Sequence, residues 1–337
     1  MVYGAIDLHM RRSRVRVIDE TGQILRDTGV VTEAERLVPA FAGVGPVRIV
    51  VESSTESEWV AQALEEAGYE VVVVDPNFAP MYGELRRKVK TDTRDVAALA
   101  EANRRGWYRA AYRVSAAQRA RRQTLRVRRQ LVQGRTSMIS LVRSLVRQAG
   151  RRIGTGSSAA FMDRVDRAAL PPALRQTLAP LLRTLTEVTA EIRQLDTQLA
   201  ADAQADPIVR RLQTVPGVGP VVAMSFRAFV DDVGRFGSAA QVSAALGLVP
   251  REDSSAERRH RGHITKAGPS ELRSLMIQAA WVCWRSSRHG PLRAWTDRVA
   301  ARRGKRIAAV ALARRLSRIL FAIWRDDTDF DRSRVAA

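Results

Sequence analysis

The sequence predicts an α/β domain over residues 1–112, Arg-rich helices with a coiled coil over 113–205, and a mainly α domain over 206–337. Three observations carry that division: alternating strand and helix patterns in the first hundred residues, a leucine seam of strict spacing, and long amphipathic helical patterns in the last third. The elements follow in order. YGAID (3–7) is short and apolar and ends on an acid. RVRVID (14–19) alternates with period two, ETG (20–22) has turn chemistry, and ILRDTGVV (24–31) completes three antiparallel strands. A helix is expected over 32–42. VRIVV (47–51) is a buried strand ending at Glu52, and SEWVAQALEEAG (57–68) is a helix closed by Gly68. EVVVVDP (70–76) is another buried strand, stopped by Pro76. TDTRDVAALAEANRRG (91–106) is a helix capped by Thr91 or Thr93. Three strands followed by helix, strand, helix, strand and helix is the ribonuclease-H-like order, with parallel neighbours among the later strands.

The middle of the chain is strongly basic. From Ala102 to Met162 there is no acidic residue, and residues 104–152 hold 15 Arg in 49 positions. Residues 122–148 read as a helix that can bury Leu125, Leu131, Val132, Leu141, Val142, Leu145 and Val146, with Arg on the other faces. A solvated face is the plain alternative. A basic face without acidic neighbours repels itself, so nucleic acid is the expected counterion. Leu174, Leu178, Leu181, Leu185, Val188, Ile192, Leu195 and Leu199 then alternate in steps of four and three, a heptad seam interrupted early by Pro180. It can pack within the chain or against a second copy. In the last third, residues 307–324 place Ile307, Val310, Leu316, Ile319, Leu320 and Ile323 on one stripe, with Arg314, Arg315 and Arg318 on or beside the polar side. Trp281, Trp284, Trp295 and Trp324 are read as core.

Composition narrows the function. The 337 residues carry a formal net charge of +21, more than a small acidic substrate calls for and suited to a polyphosphate backbone. Only Lys88, Lys90, Lys266 and Lys305 are lysines, a preference for Arg that a GC-rich genome explains but the surplus charge does not. A hydrophobic content of 45% excludes a disordered chain. The single cysteine, Cys283, excludes a disulfide scaffold and a cysteine zinc site and fits a reducing compartment. The N-terminus has no basic stretch followed by an apolar one, so no signal peptide is read. Charge-free stretches such as Leu212–Phe226, 15 residues with two prolines, are too short for a transmembrane helix. A cytoplasmic polyanion-binding protein with no membrane partner is expected.

Four acids stand out as chemistry. Asp7 lies in an apolar strand, where a carboxylate is costly without a partner or metal. Glu52 ends another strand. Asp92 and Asp95 are three apart on one helical face. Gathered in one cleft, they suit Mg²⁺ or Mn²⁺, and two such ions would serve phosphodiester cleavage. Taken singly, each has a structural explanation; Asp92 and Asp95 also favour a helix N-terminus. A second signal is LQTVPGVGPVVAMSF (212–226), where Gly217 and Gly219 form a turn similar to a helix-hairpin-helix, whose backbone amides grip phosphate. A Gly-rich turn between packed helices is the alternative. Third, residues 246–273 form a polar stretch between helix patterns. It holds Ser254 and Ser255, then Arg258, Arg259, Arg261, His263 and Lys266 as candidate phosphate clamps.

Together these residues resemble the DEDD transposases of bacterial insertion sequences, the IS one-ten family of bridge-RNA-guided recombinases. The N-terminal half resembles the family's RuvC-like domain through AIDLH, VVES and KTDTRDVAALA. The C-terminal half resembles its transposase domain through VPGVGPVVA, FGSAAQVSAALGLVP, SSAERRHRGHITKAG and LRSLMIQAAW. The resemblance implies a Mg²⁺ site (Mn²⁺ an alternative) on Asp7, Glu52, Asp92 and Asp95, and a serine that links covalently to DNA. By position that serine is Ser255, with Ser254 second. It also implies donor and target DNA, a structured bridge RNA and a homo-oligomer, dimer or tetramer, as partners. Two positions depart from the family pattern: Ala256 stands where Gly is usual and Pro269 where Asn is common. The expectation is a DNA transposase and recombinase. A metal-only junction nuclease and a non-catalytic Arg-rich nucleic-acid-binding protein are the alternatives.

Overall fold

The fold is described from a computed structural model covering residues 1–78, 92–255, 258–286, 290–331 and 333, with the side chains of 253–261 set aside. Two compact units result, residues 1–114 and 115–337.

The first unit is built on a mixed five-stranded sheet among the described residues. Strands β1 (Val2–Asp7), β2 (Arg12–Ile18), β3 (Ile24–Val31), β4 (Val47–Glu52) and β5 (Glu70–Val74) lie in the order β3-β2-β1-β4-β5. β1, β2 and β3 are antiparallel neighbours, whereas β1, β4 and β5 run parallel. Short hairpin loops permit the former, and the helical crossover between β4 and β5 requires the latter. The expected helix over 32–42 is instead α1 (Ala34–Leu37) and a separate 3₁₀ turn, Pro39–Phe41. Pro39 has no amide hydrogen to continue the ladder, so the chain restarts there. Helix α2 (Ser57–Glu66) ends as expected at Gly68, whose φ of 88° suits glycine, with the Tyr69 amide reaching back to the Leu64 carbonyl.

Each face of the sheet carries its own core. Ile6, Val15, Val17, Ile49 and Val51 bury one face with Val60 and Leu64 of α2. Ala5, Val50 and Val74 bury the other beneath helix α3 (Asp92–Arg105), through Val96, Leu99 and Ala100. Thr93 lies inside α3 and so is not its cap; Thr91 lies outside the described residues.

The second unit is mostly helical. α4 (Ala116–Gln148) and α6 (Pro172–Ala205) are long, with α5 (Phe161–Arg167) between them. Leu178, Leu182 and Leu185 of α6 bury against Ile139, Val142 and Val146 of α4. The heptad seam therefore packs within the chain, and Pro180 is accommodated inside the helix. Leu181, Val188 and Leu195 are half-buried, and Leu141, expected to bury, is exposed. The α4 arginines find acids that lie far along the sequence: Arg121 pairs with Asp206 at 3.1 Å, Arg128 with Asp196 at 2.5 Å, and Arg129 with Glu271. Part of that face is thus neutralised internally, while Arg126, Arg147, Arg151 and Arg152 are exposed.

The remaining helices are α7 (Pro207–Leu212), α8 (Pro220–Val230), α9 (Ala239–Ala245), α10 (Ser270–Ser286), α11 (Pro291–Arg303) and α12 (Lys305–Arg325). Their core holds Phe226, Met276, Cys283, Leu312, Leu316, Leu320 and Phe321. The α12 stripe is buried as expected at Leu316, Leu320 and Ile323, with Val310 and Ile319 packed against the core; it also takes in Leu312 and Phe321, whereas Ile307 is exposed. Trp324 is buried, and Trp284 and Trp295 pack against the core. Trp281 instead stacks on Trp284 with ring centroids 5.2 Å apart. The polar stretch is not a simple loop: strands β6 (Pro250–Ser255) and β7 (Arg258–Ile264) form an antiparallel hairpin. It lacks the apolar alternation by which a strand is read.

Candidate metal centre

β1 lies between β2 and β4, and Asp7 ends it. The residue is only 8% exposed. In the parallel β1–β4 pair Ile6 stands opposite Val51, so Asp7 and Glu52 occupy the next positions at the two strand ends. Ala5 and Val50 form the α3-side core, and period-two alternation carries Asp7 and Glu52 to that same face. α3 enters with Asp92 in its first turn, exposed, and Asp95 one step on, half-buried.

The far end of α3 fixes its position. Asn103 is fully buried. Its Nδ2 donates to the carbonyls of Gly4 and Arg48, each at 2.8 Å, and its Oδ1 accepts from Arg48 Nε at 2.9 Å. Arg48 also lies over the Tyr3 ring, 5.3 Å from its centroid. One amide therefore ties α3 to both acid-bearing strands. Nearby, hydrogen bonding from Arg104 holds the Glu101 carboxyl below its ordinary range, with Arg105 adding to it.

A histidine joins the acids. His9 Nε2 lies 3.4 Å from Asp7 Oδ2 and 3.5 Å from Asp92 Oδ1. Asp7, His9 and Asp92 offer three ligand atoms within 4.8 Å of one another. An octahedral ion with bonds of about 2.1 Å needs adjacent donors ~3.0 Å apart, so small side-chain rotations would close the set. The donor chemistry and spacing fit a divalent cation. Glu52 and Asp95 are adjacent in the fold but are not members of this three-donor cluster. Sequence reasoning passed over His9, although its D-x-H spacing from Asp7 in AIDLH was the available signal.

In the second unit, α7 and α8 flank the G-x-G turn. A Cβ at Gly217, where φ is 84°, would lie 2.4 Å from the Ala279 carbonyl oxygen and 2.7 Å from the Cys283 amide nitrogen. Gly217 thus serves close packing on α10, whereas Gly219, at the α8 N-terminus, faces open space. The backbone of Ser255 ends β6, opposite Arg258; its side chain and that of Ser254, and all of Ala256, lie outside what is described. Like charges crowd elsewhere in this unit: burial lowers the Arg315 pKa, and Arg298 and Arg318 lower it further.

Comparison with known proteins gives these features a family. A DEDD transposase profile of the IS110 (IS one-ten) type matches residues 5–150, and the profile of the transposase IS116/IS110/IS902 family matches residues 209–294. The chain is 31% identical to a Pseudomonas aeruginosa protein named "Probable family 20 transposase" over 86% of this chain and 87% of that protein. It is 27% identical to the transposase for insertion sequence element IS1111A of Coxiella burnetii, over 91% and 85% respectively. For the transposase of IS1328 from Yersinia enterocolitica the identity is 25%, over 88% and 89%. The chain belongs to the IS110 family of transposases, with an N-terminal DEDD domain and a C-terminal Transposase_20 domain. Enzymes of this class catalyse DNA transposition, and DNA is therefore a partner. Among the described residues, no helix is long and apolar enough to cross a membrane.

Proposed function

We propose that this transposase cuts and rejoins DNA at a divalent-metal centre held by Asp7, Glu52, Asp92 and Asp95, with Ser255 as the nucleophile. The convergence of Asp7 and Asp92 with His9 within 4.8 Å is the observation that carries this reading. The strand order, three antiparallel strands and then parallel ones joined by helices, supports a ribonuclease-H-like, RuvC-like unit. Bound there, Mg²⁺ or Mn²⁺ would supply charge stabilisation for a phosphodiester transition state. Asp7 and Glu52, at the C-terminal ends of the adjacent strands β1 and β4, would hold the ion, and Asp92 and Asp95 would complete the donor set from α3. The Ser255 oxygen bonds to phosphorus as the bond to one strand's sugar oxygen breaks. That oxygen leaves as a hydroxyl with the serine proton, and reversal onto a new strand rejoins the DNA.

Residues 113–205 and 206–337 act as two functional parts, an Arg-rich coiled-coil segment and a transposase domain. The half-buried Val188 and Leu195, with exposed Val127 and Leu141, support association of copies, so that one chain's carboxylates can serve another's serine. The exposed arginines Arg126, Arg147, Arg151 and Arg152 support a nucleic-acid partner, and a bridge RNA would choose sequences by base pairing. The α8 N-terminus at Gly219 supports phosphate contact at a helix-hairpin-helix-like turn. The test is a DNA-cleavage reaction run on denaturing gels. Protein-linked DNA that disappears in Ser255→Ala is expected; free ends alone would leave a metal-only nuclease, and no cleavage under any condition a non-catalytic binder.

A further inference from the structure

We propose that His9 is a nitrogen ligand of the metal centre and that it biases the site toward Mn²⁺ over Mg²⁺. This rests on the metal-centre reading above. Three observations support it. First, the ring nitrogen Nε2 stands between carboxylates from two different elements, 3.4 Å from Asp7 and 3.5 Å from Asp92. A surface histidine attracted to one acid has no need to span both.

Second, the loop that carries His9 is tied down at the backbone. The His9 carbonyl accepts hydrogen bonds from Thr32 Oγ1 at 2.7 Å and from Ser13 Oγ at 3.4 Å, and the His9 amide donates to Ser13 Oγ at 3.3 Å. Ser13 is almost fully buried, and its hydroxyl also lies 2.8 Å from that of Thr32. The His9 side chain remains 52% exposed, so these bonds fix where the ring starts without burying it. These bonds hold the backbone from which the ring projects, which limits where Nε2 can reach.

Third, the donor type selects the metal. Mg²⁺ prefers oxygen ligands and holds its water tightly, whereas first-row transition ions accept imidazole nitrogen more readily, Mn²⁺ the weakest of them but still ahead of Mg²⁺. One nitrogen among carboxylates therefore shifts preference toward Mn²⁺ while leaving Mg²⁺ able to bind.

The experiment uses the full-length protein without DNA. Mn²⁺ binding is followed by paramagnetic resonance, Mg²⁺ affinity by competition, and nitrogen ligation by electron spin-echo modulation of bound Mn²⁺. The wild type should show imidazole ¹⁴N modulation. His9→Gln should lose that signal and bind Mn²⁺ about 10-fold or more weakly, with a smaller loss for Mg²⁺. Ser13→Ala, which keeps the ring but loosens its loop, should fall between them. Wild-type Mn²⁺ bound without ¹⁴N modulation, or modulation that persists in His9→Gln, would overturn the proposal. Asp7→Asn separates the two layers: if it leaves Mn²⁺ binding intact, the centre itself is wrong; if it abolishes binding while His9→Gln does not weaken it, only the His9 ligation fails.

Discussion

Asn103→Ala probes how the fold holds the site together. Asn103 touches β1 at Gly4, three residues before Asp7, and β4 at Arg48, four residues before Glu52. Asp92 lies on the same helix, three turns away. Truncation removes two amide–carbonyl hydrogen bonds and one accepted from a guanidinium, while the bond from Arg48 Nη2 to the Asn103 carbonyl survives. At about 1 kcal/mol for each neutral bond and roughly 2 for the charged one, the loss is about 4 kcal/mol. At 1.4 kcal/mol per tenfold, that raises the opening equilibrium of α3 by about 10³. A chain of two units does not offer a single unfolding free energy, so the suitable assay is amide hydrogen exchange resolved to α3 peptides. Protection there should fall by two to three decades, with α12 unaffected. A fall of less than tenfold would refute the claim that this amide fastens α3 to the acid-bearing strands.

Other outcomes follow from the same structure. Gly217→Ala should cost about 2–5 kcal/mol, from the left-handed backbone and from overpacking against α10, and should lower the melting temperature. Gly219→Ala, in open space, should melt like the wild type; equal melting of both variants would contradict the packing role. The Glu101 and Asp75 carboxyls are held below their ordinary values, Glu101 first by Arg104 and Asp75 first by the Asn77 amide, then by Arg109. Their stabilisation is full above the ordinary carboxylate range and is lost as pH falls through the depressed values. The first unit should therefore loosen below about pH 4, and Glu101→Gln should blunt that acid response in hydrogen exchange. DNA affinity should fall steeply with salt, and replacing Arg126 and Arg147 by Ala should flatten the slope by about 2 if each contacts a phosphate. An unchanged slope would remove that face from the DNA interface.

Much of the first unit could be read from the chain because β1, β4 and β5 are short, mostly apolar runs, β2 alternates with period two, turn residues bound them, and α2 and α3 are amphipathic. The short helix near 34–37 was misread because Pro39 permits a helical start as readily as it stops one. The seam residues of α6 were legible, but not their partner: periodicity identifies an apolar face and is silent on what covers it. The α4 arginines had no acids near them in sequence, and the acids that pair with Arg121 and Arg128 lie 85 and 68 positions away. The β6–β7 hairpin is polar in sequence, PREDSS and RRHRGHI, with no apolar alternation, so it left no period-two signal. At the centre, Asp7 stood out because an acid ended an apolar strand. His9 did not: the D-x-H spacing places it near Asp7, but the fold is needed to show its ring reaching Asp92 on α3 as well.

The most direct measurement compares Asp7→Asn with the wild type in three readouts: divalent-metal binding, DNA affinity and strand cleavage. Because Asp7 is the most buried member of the cluster and joins acids and His9 at one point, the substitution should abolish metal binding and cleavage while DNA affinity stays within about twofold. Wild-type cleavage by Asp7→Asn would contradict a carboxylate metal centre at this sheet edge.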